Sequence, residues 1–351
     1  MHVEIFILSI AFVFAALFTW AFKRLPREEW QFICSFPSRK TGRGRWQGWN
    51  LTYYGFFTAL ALSAASVFFL IMMLSLQISL IITVLIIGII LIFCLPAAGL
   101  TAGLLEKKKY TLSVGGTFFV GMLIAPWVIL SASFAVKKYF AYELSLLSVM
   151  SAMIIAYSIG EGLGRLACIS FGCCYGRALT QCHPLIKKVF KNINFTFTGK
   201  LKKISYAHQW DGQQVIPIQA LTAVIYCFSG LLGMFLFFRG FVILPLLLNL
   251  LVTQVWRILS EFMRADYRGE GKISGYQIMA SLSVVYGLIV VYLFQSENNN
   301  IMPDLFLGLQ AIWDPFIIVL LIILWIATFI YTGKSKVTNA EIEFCIVEKN
   351  I

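Results

Sequence analysis

The run LTYYGFFTALALSAASVFFLIMMLSLQISLIITVLIIGIILIFCLPAAGLTAGLL, residues 51–105, contains no Asp, Glu, Lys or Arg. A helix of about 20 residues crosses roughly 30 Å of hydrocarbon. One helix of this length would overshoot, so the run has to fold back on itself. Gln77 and Ser79 mark the turn, and Pro96 marks a kink or the end of the second span. Further apolar runs lie at about 3–22, 112–136, 144–167, 217–238, 241–262, 274–294 and 315–332. They are apolar on all faces, as expected of helices surrounded by lipid and by other helices.

Composition agrees with this reading. Hydrophobic residues make up 60% of the 351-residue chain and charged residues 13%, against roughly 45–50% and about 25% in soluble domains. A soluble enzyme, a disordered chain and a secreted disulfide scaffold are excluded. The net charge is +12. Because the basic residues sit between apolar runs, they point to anionic lipid headgroups and away from nucleic acid. The first span has Glu4 before it and Lys23, Arg24 and Arg27 after it, with no clear small-residue cleavage site. It reads as an uncleaved anchor.

The organisation expected is an all-α polytopic bundle of about nine transmembrane helices in three parts. Residues 1–50 hold the anchor and a basic interfacial segment with Trp30, Trp46 and Trp49. Residues 51–295 form the membrane core, with a long polar loop at 168–215. Residues 296–351 hold a last helix and a tail. The connector Ser296–Asp314, with Glu297, Asp304 and Asp314, is expected outside hydrocarbon. No internal repeat is visible.

Ionisable residues near spans are costly and are functional candidates by default. Two places stand out. One is Gly160-Glu161-Gly162-Leu163-Gly164-Arg165, followed by Cys168 and Gly172-Cys173-Cys174-Tyr175-Gly176-Arg177. Glu161 and Arg165 are four apart, hence on one helix face. The glycines either let backbones approach or leave N–H groups for a phosphate. The other is Arg257-Ile258-Leu259-Ser260-Glu261-Phe262-Met263-Arg264, in which Arg257, Glu261 and Arg264 share a stripe. Each segment alone can be read as a salt-bridged helix end. Together, two Arg-bearing helix ends point to one anionic ligand held between them, such as a phospholipid phosphate.

Cys168, Cys173, Cys174, Cys182 and His183 match neither a paired CxxC pattern nor a ferredoxin pattern. Adjacent Cys173 and Cys174 are not expected to turn both thiols easily toward one ion. No metal and no cofactor are expected. His2 and His208 have no evident partners, and no Ser-His-Asp set, P-loop or dinucleotide fingerprint is present.

The chain resembles the prolipoprotein diacylglyceryl transferases of the bacterial inner membrane over about residues 50–295. The most specific piece is Gly164-Arg165 through Gly172-Cys173-Cys174-Tyr175-Gly176-Arg177. Tyr53-Tyr54-Gly55, Ser113-Val114-Gly115-Gly116, Pro217-Ile218-Gln219, Arg257 to Arg264 and Ser274-Gly275-Tyr276-Gln277 follow the family's order. The resemblance implies a seven-helix core, here with an extra helix at each end. It implies transfer of diacylglyceryl from phosphatidylglycerol to the thiol of a lipobox cysteine in a prolipoprotein. Carried over by position, Arg165 and Arg257 would bind the phosphate and stabilise its departing charge. Glu261 would orient an arginine, Gly176 would shape the loop near the lipid and Tyr54 would line the site. Arg177, Arg264, Gln219 and Gln277 would also line it.

The sequence departs from the family at Val114, which stands where the family has its histidine. Cys168 replaces a common Asn, and Ile216 and Thr222 replace a His and a Glu. A non-catalytic relative that binds phospholipid or a lipoprotein precursor is the competing reading. A transporter of an anionic substrate is a third, weakened by the missing repeat. The resemblance puts the signature loop on the periplasmic side. The distribution of Lys and Arg, concentrated in 23–50, 106–110, 168–215, 263–273 and 333–351, puts it in the cytoplasm.

Overall fold

The computed structural model describes residues 2–42, 44–107, 113–140, 144–267, 271, 273–296, 302–334 and 343–345, with 139 and 140 described by backbone only. Glu297, Lys108, Lys109, Arg268 and Lys272 lie outside the described residues.

Nine helices among the described residues are long and apolar enough to cross a membrane. They are α1 (Val3–Arg24), α2 (Tyr53–Ser75), α3 (Leu80–Glu106), α4 (Val114–Phe140), α5 (Leu146–Phe171), α8 (Ile218–Phe238), α9 (Ile243–Met263), α10 (Gly275–Phe294) and α12 (Pro315–Thr332). The chain is an all-α polytopic bundle. Short helices α6 (Pro184–Phe190) and α7 (Lys203–His208) lie in the long loop, and α11 (Leu305–Ile312) precedes α12.

Polar residues at the span boundaries set the helix starts. Thr52, Ser79, Ser145, Asp304 and Asp314 each accept a hydrogen bond from a backbone N–H of the first turn of the helix that follows. Ser274 and Gln277 form a reciprocal capping box at α10. Residues 51–105 do fold back at Gln77, whose φ is 61°. Pro96 does not end the second span, because α3 runs through it to Glu106. A transmembrane helix tolerates the lost N–H where neighbours re-satisfy the backbone.

α5 is the axis of the bundle, with 83% of its most apolar window buried, against 17% for α1 and 11% for α12. It packs between α2, α8 and α9. The two terminal spans therefore sit at the periphery, α1 on α8 and α12 on α2. Lipid supplies no hydrophobic drive between helices, so close packing of small residues has to. A Cβ on Gly160 would lie 2.8 Å from the Ala65 side chain of α2, and one on Gly162 would lie 2.6 Å from Cys227 Sγ of α8. These glycines serve helix approach. Their N–H groups lie inside a continuous helix and are not presented to a phosphate.

The polar connections gather at one end of the bundle, where the basic interfacial segment expected at 23–50 takes a regular structure that its composition did not show. There β1 (Phe32–Gly42) and β2 (Arg45–Thr52) form an antiparallel hairpin, and β5 (Glu343–Cys345) pairs with β2. Phe36 stacks on its cross-strand partner Trp49, which holds the register. The long loop adds the two-stranded β3 (Phe195–Thr196) and β4 (Gln214–Val215). Lys202 pins that loop to two helix ends, donating to Leu25 O at 2.9 Å and to Ser170 O. At the opposite end, Arg239 pairs with Glu4, and Asp304 N donates to Ser75 O. The connector before α12 contains the apolar α11, whose Gly308 lies against Ile71 of α2, so this segment is partly packed on the bundle.

Candidate functional site

Glu161 is the hub. It lies in α5, and its side chain is 2% exposed. Arg165, one turn on, donates Nη2 to Oε1, and Tyr157, one turn back, donates its hydroxyl to Oε2. Arg257 reaches across from α9, where its Nη2 lies 2.6 Å from Glu161 Oε2 and 2.7 Å from the Tyr157 hydroxyl. The two helix ends that carry arginine therefore converge on a single carboxylate. Two guanidiniums against one carboxylate leave a formal +1 in a nearly dry environment. Glu161 occupies Nη2 of each arginine. The Nε atoms of Arg165 and Arg257 are buried and have no hydrogen-bond partner among the described residues.

Three elements close around this hub. Phe118 of α4 packs on Tyr157 with tilted rings whose centroids are 4.4 Å apart. A Cβ on Gly115 would stand 2.8 Å from Arg257 Nη1 and 2.8 Å from Tyr276 Cδ1. Val114, the first residue of α4, thus opens the segment lying directly against Arg257, and its own side chain is exposed. Tyr276 of α10 donates to Glu106 Oε1 at 2.8 Å, at the end of α3. Trp256 Nε1 donates to Thr222 Oγ1 at 2.8 Å, joining α9 to α8 beside Arg257.

The glycine- and cysteine-rich turn lies next to this cluster. Gly172 ends α5 in the left-handed region at φ 71°, and its N–H and that of Cys173 both return to Cys168 O. Arg177 N donates to Met263 O at 2.9 Å, and Ala265 N donates to Tyr175 O at 3.2 Å. These bonds stitch the turn to the end of α9. Arg264 then lies against Asp266, with Nε and Nη2 at 2.8 and 2.9 Å from the carboxylate.

The sequence-derived site residues fall at several places around the hub and the turn. Arg165 and Arg257 meet at Glu161. Tyr54, edge-on to Phe171, lies within electrostatic reach of Arg165 and the three thiols. Glu261 faces Arg264 at 3.7 Å, and the carboxylate that holds Arg257 is Glu161. Gly176 is buried against Ile216, whereas the Arg177 side chain is exposed and only its backbone joins the stitch. Gln219 donates to Cys173 O at 2.8 Å and supports the turn from α8. Both ends of the Gln277 amide are used within the fold, by the Ser274 backbone N–H and by Ile258 O.

Two expectations are corrected. His208 has a partner, because its Nδ1 meets the Tyr175 hydroxyl and its ring tilts onto Trp210. Adjacent Cys173 and Cys174 do face a common point. Cys174 adopts φ 57°, which turns its side chain to the same side as that of Cys173. Cys168, Cys173 and Cys174 bring their Sγ atoms within 4.8 Å of one another. Tyr157, Glu106 and Phe118 were not read from the sequence. Only Tyr157 left a signal there, one turn before Glu161 on the same face.

No family model matches the chain, nor does any curated protein or solved structure.

Proposed function

We propose that the chain is a membrane-embedded transferase that binds phosphatidylglycerol through the Arg165–Glu161–Arg257 hub. In this reading it passes the diacylglyceryl group to a lipobox cysteine of a prolipoprotein. The observation that carries the reading is the convergence of two arginines from two helices on one carboxylate, with Nε of both left for a further acceptor. Arginine binds phosphate through a rigid fork of donors, and a site poor in water strengthens each contact. The reaction would form a bond between the cysteine sulfur and a glyceryl carbon. The carbon–oxygen bond to phosphate would break, glycerol phosphate would leave with the electron pair, and the thiol proton would pass to a base or to solvent. Arg165 and Arg257 would neutralise the departing charge. The resemblance supplies the reaction type, the lipid, the acceptor and the bacterial inner membrane.

Val114 favours a second reading, a non-catalytic lipid binder, because it replaces the histidine of the family that the chain resembles. One assay separates the two. Purified protein is mixed with phosphatidylglycerol and a lipobox peptide, and glycerol phosphate release and peptide mass are followed. Release is expected, with Arg165→Ala lowering it at least tenfold, since a charge-assisted hydrogen bond contributes roughly 1.5–3 kcal/mol. Lipid binding without release would leave the binder reading. Wild-type behaviour of both Arg165→Ala and Arg257→Ala would remove both.

A further inference from the structure

We propose that Cys168, Cys173 and Cys174 form a three-thiolate site for a soft d10 cation, best suited to copper(I). The proposal rests on the position of the thiols and is independent of the lipid reading. The three Sγ atoms already lie within 4.8 Å of one another. Thiolates that share one ion at about 2.3 Å stand about 4 Å apart. Small side-chain rotations cover that difference.

The backbone builds the cluster from a short stretch of sequence. Cys168 projects from the last turn of α5, and Gly172 reverses the chain at φ 71° so that the next residues return over that turn. Cys174, at φ 57°, pays roughly 1–2 kcal/mol for a left-handed conformation that L side chains avoid. Bonds from Gln219 to Cys173 O and from Ala265 to Tyr175 O hold the turn from α8 and from the end of α9. The sulfurs are therefore pre-placed by three separate elements.

The donor set selects the ion. Soft thiolates favour Cu(I), Zn and iron–sulfur clusters. Zinc in a structural site takes four ligands, and no fourth His, Cys, Asp or Glu joins the group among the described residues. Asp266, within electrostatic reach of Cys174, is held by Arg264. Three sulfurs, with no fourth His, Cys, Asp or Glu beside them among the described residues, suit trigonal copper(I). Charge agrees as well. Three thiolates and one Cu(I) carry a formal −2, and Arg165 and Arg264 both lie within electrostatic reach of Cys174. Binding forms three Cu–S bonds, releases three thiol protons to solvent and transfers no electron.

The test uses the reduced full-length protein in detergent under anaerobic conditions. Copper(I) is delivered from a coloured chelator of known affinity, and the bound fraction is examined by X-ray absorption at the copper edge. One equivalent with three sulfur neighbours is expected. Cys168→Ser and Cys173→Ser should each weaken binding by roughly 100-fold or more, since losing even an outer-shell partner costs 10–100-fold. Cys94→Ser and Cys227→Ser, which alter buried thiols elsewhere, should leave it unchanged. A second readout needs no variant, because bound copper(I) should protect Cys168, Cys173 and Cys174 of the native chain from alkylation, read by peptide mass. No saturable binding, or binding and alkylation indifferent to Cys168 and Cys173, would overturn the proposal. So would a preference for zinc with a four-ligand shell. Lipid transfer measured on the same preparation reports on the arginine hub separately.

Discussion

Arg257 and Glu161 are 96 residues apart in the chain and 2.6 Å apart in the structure. This bond closes α9 onto α5 in the interior of the bundle, and Tyr157 shares it at 2.7 Å. Glu161 is the only carboxylate contacting either arginine of the hub among the described residues. Removing it should be the most damaging single change there. Glu161→Gln leaves two buried guanidiniums facing each other without a counter-charge, and breaking a buried pair in this way costs about 3–5 kcal/mol. Arg257→Leu leaves Glu161 paired with Arg165 and Tyr157 and should cost clearly less. Thermal unfolding of the two purified variants in one detergent gives the order. Equal losses would show that Glu161 does not act as the shared partner.

A histidine at position 114 should raise turnover if the chain transfers lipid. Gly115, its neighbour, lies against Arg257 and Tyr276, and the Val114 side chain is exposed, so an imidazole fits without repacking. A general base typically contributes about 10²–10⁴ in rate. Val114→His should increase glycerol phosphate release at neutral pH, with a pH profile that falls as the imidazole protonates near its ordinary value of about 6.5. An unchanged rate with an unchanged profile would mean that position 114 does not face the reacting thiol.

Lys202 should make stability pH-dependent above neutrality. Burial pushes its ammonium down to about 7, against the pull of the Glu28 carboxylate. A neutral amine has two N–H donors, and two carbonyls, Leu25 O and Ser170 O, accept them. The unfolded side chain titrates near 10.4. Between about pH 7 and 10 the unfolded chain therefore holds a proton that the folded chain lacks, and stability rises with pH across that window. Below the window both states are protonated and the slope from this group vanishes. Denaturation midpoints at several pH values, compared with Lys202→Met, isolate the contribution. A wild-type slope retained in Lys202→Met would assign it to other groups.

The spans were legible because charge, proline and glycine punctuate an otherwise apolar chain; the fold-back followed from length, and Gln77 and Ser79 marked its place. The i, i+4 pair Glu161–Arg165 was legible for the same local reason. The contact between Arg257 and Glu161 was not. A helix that is apolar on every side carries no stripe to show which way it faces, so the rotation that points Arg257 at α5 is set only by packing. The bond between Tyr276 and Glu106 was not legible either, since it joins the start of α10 to the end of α3. The three thiols were misjudged because adjacent residues normally diverge, and a non-glycine residue with positive φ at 174 is not a default expectation. The hairpin at 32–52 was hidden by its basic and aromatic composition, which reads equally well as an unstructured interfacial segment.

The hairpin, the cysteine-bearing turn, the end of α9 and strand β5 share one end of the bundle, so a single label reports for all of them. Cys345 is exposed and lies on β5, paired through Arg45 with β2. It is a better reporter than the half-buried thiols of the turn. Lysine and arginine distribution favours a cytoplasmic position for this end. The proposed reaction requires the opposite, because a lipobox cysteine is presented on the outer side in the family that the chain resembles. A cluster of basic residues also suits a surface that gathers anionic lipid, so its charge does not by itself fix the orientation. With Cys345 as the reporter thiol, a membrane-impermeant maleimide should label intact spheroplasts as fully as lysed ones. A Cys345→Ser control identifies the labelled position by peptide mass. Labelling of Cys345 only after lysis would place the arginine hub at the cytoplasmic end and remove the lipobox acceptor from the proposal, while leaving an anionic lipid as the ligand.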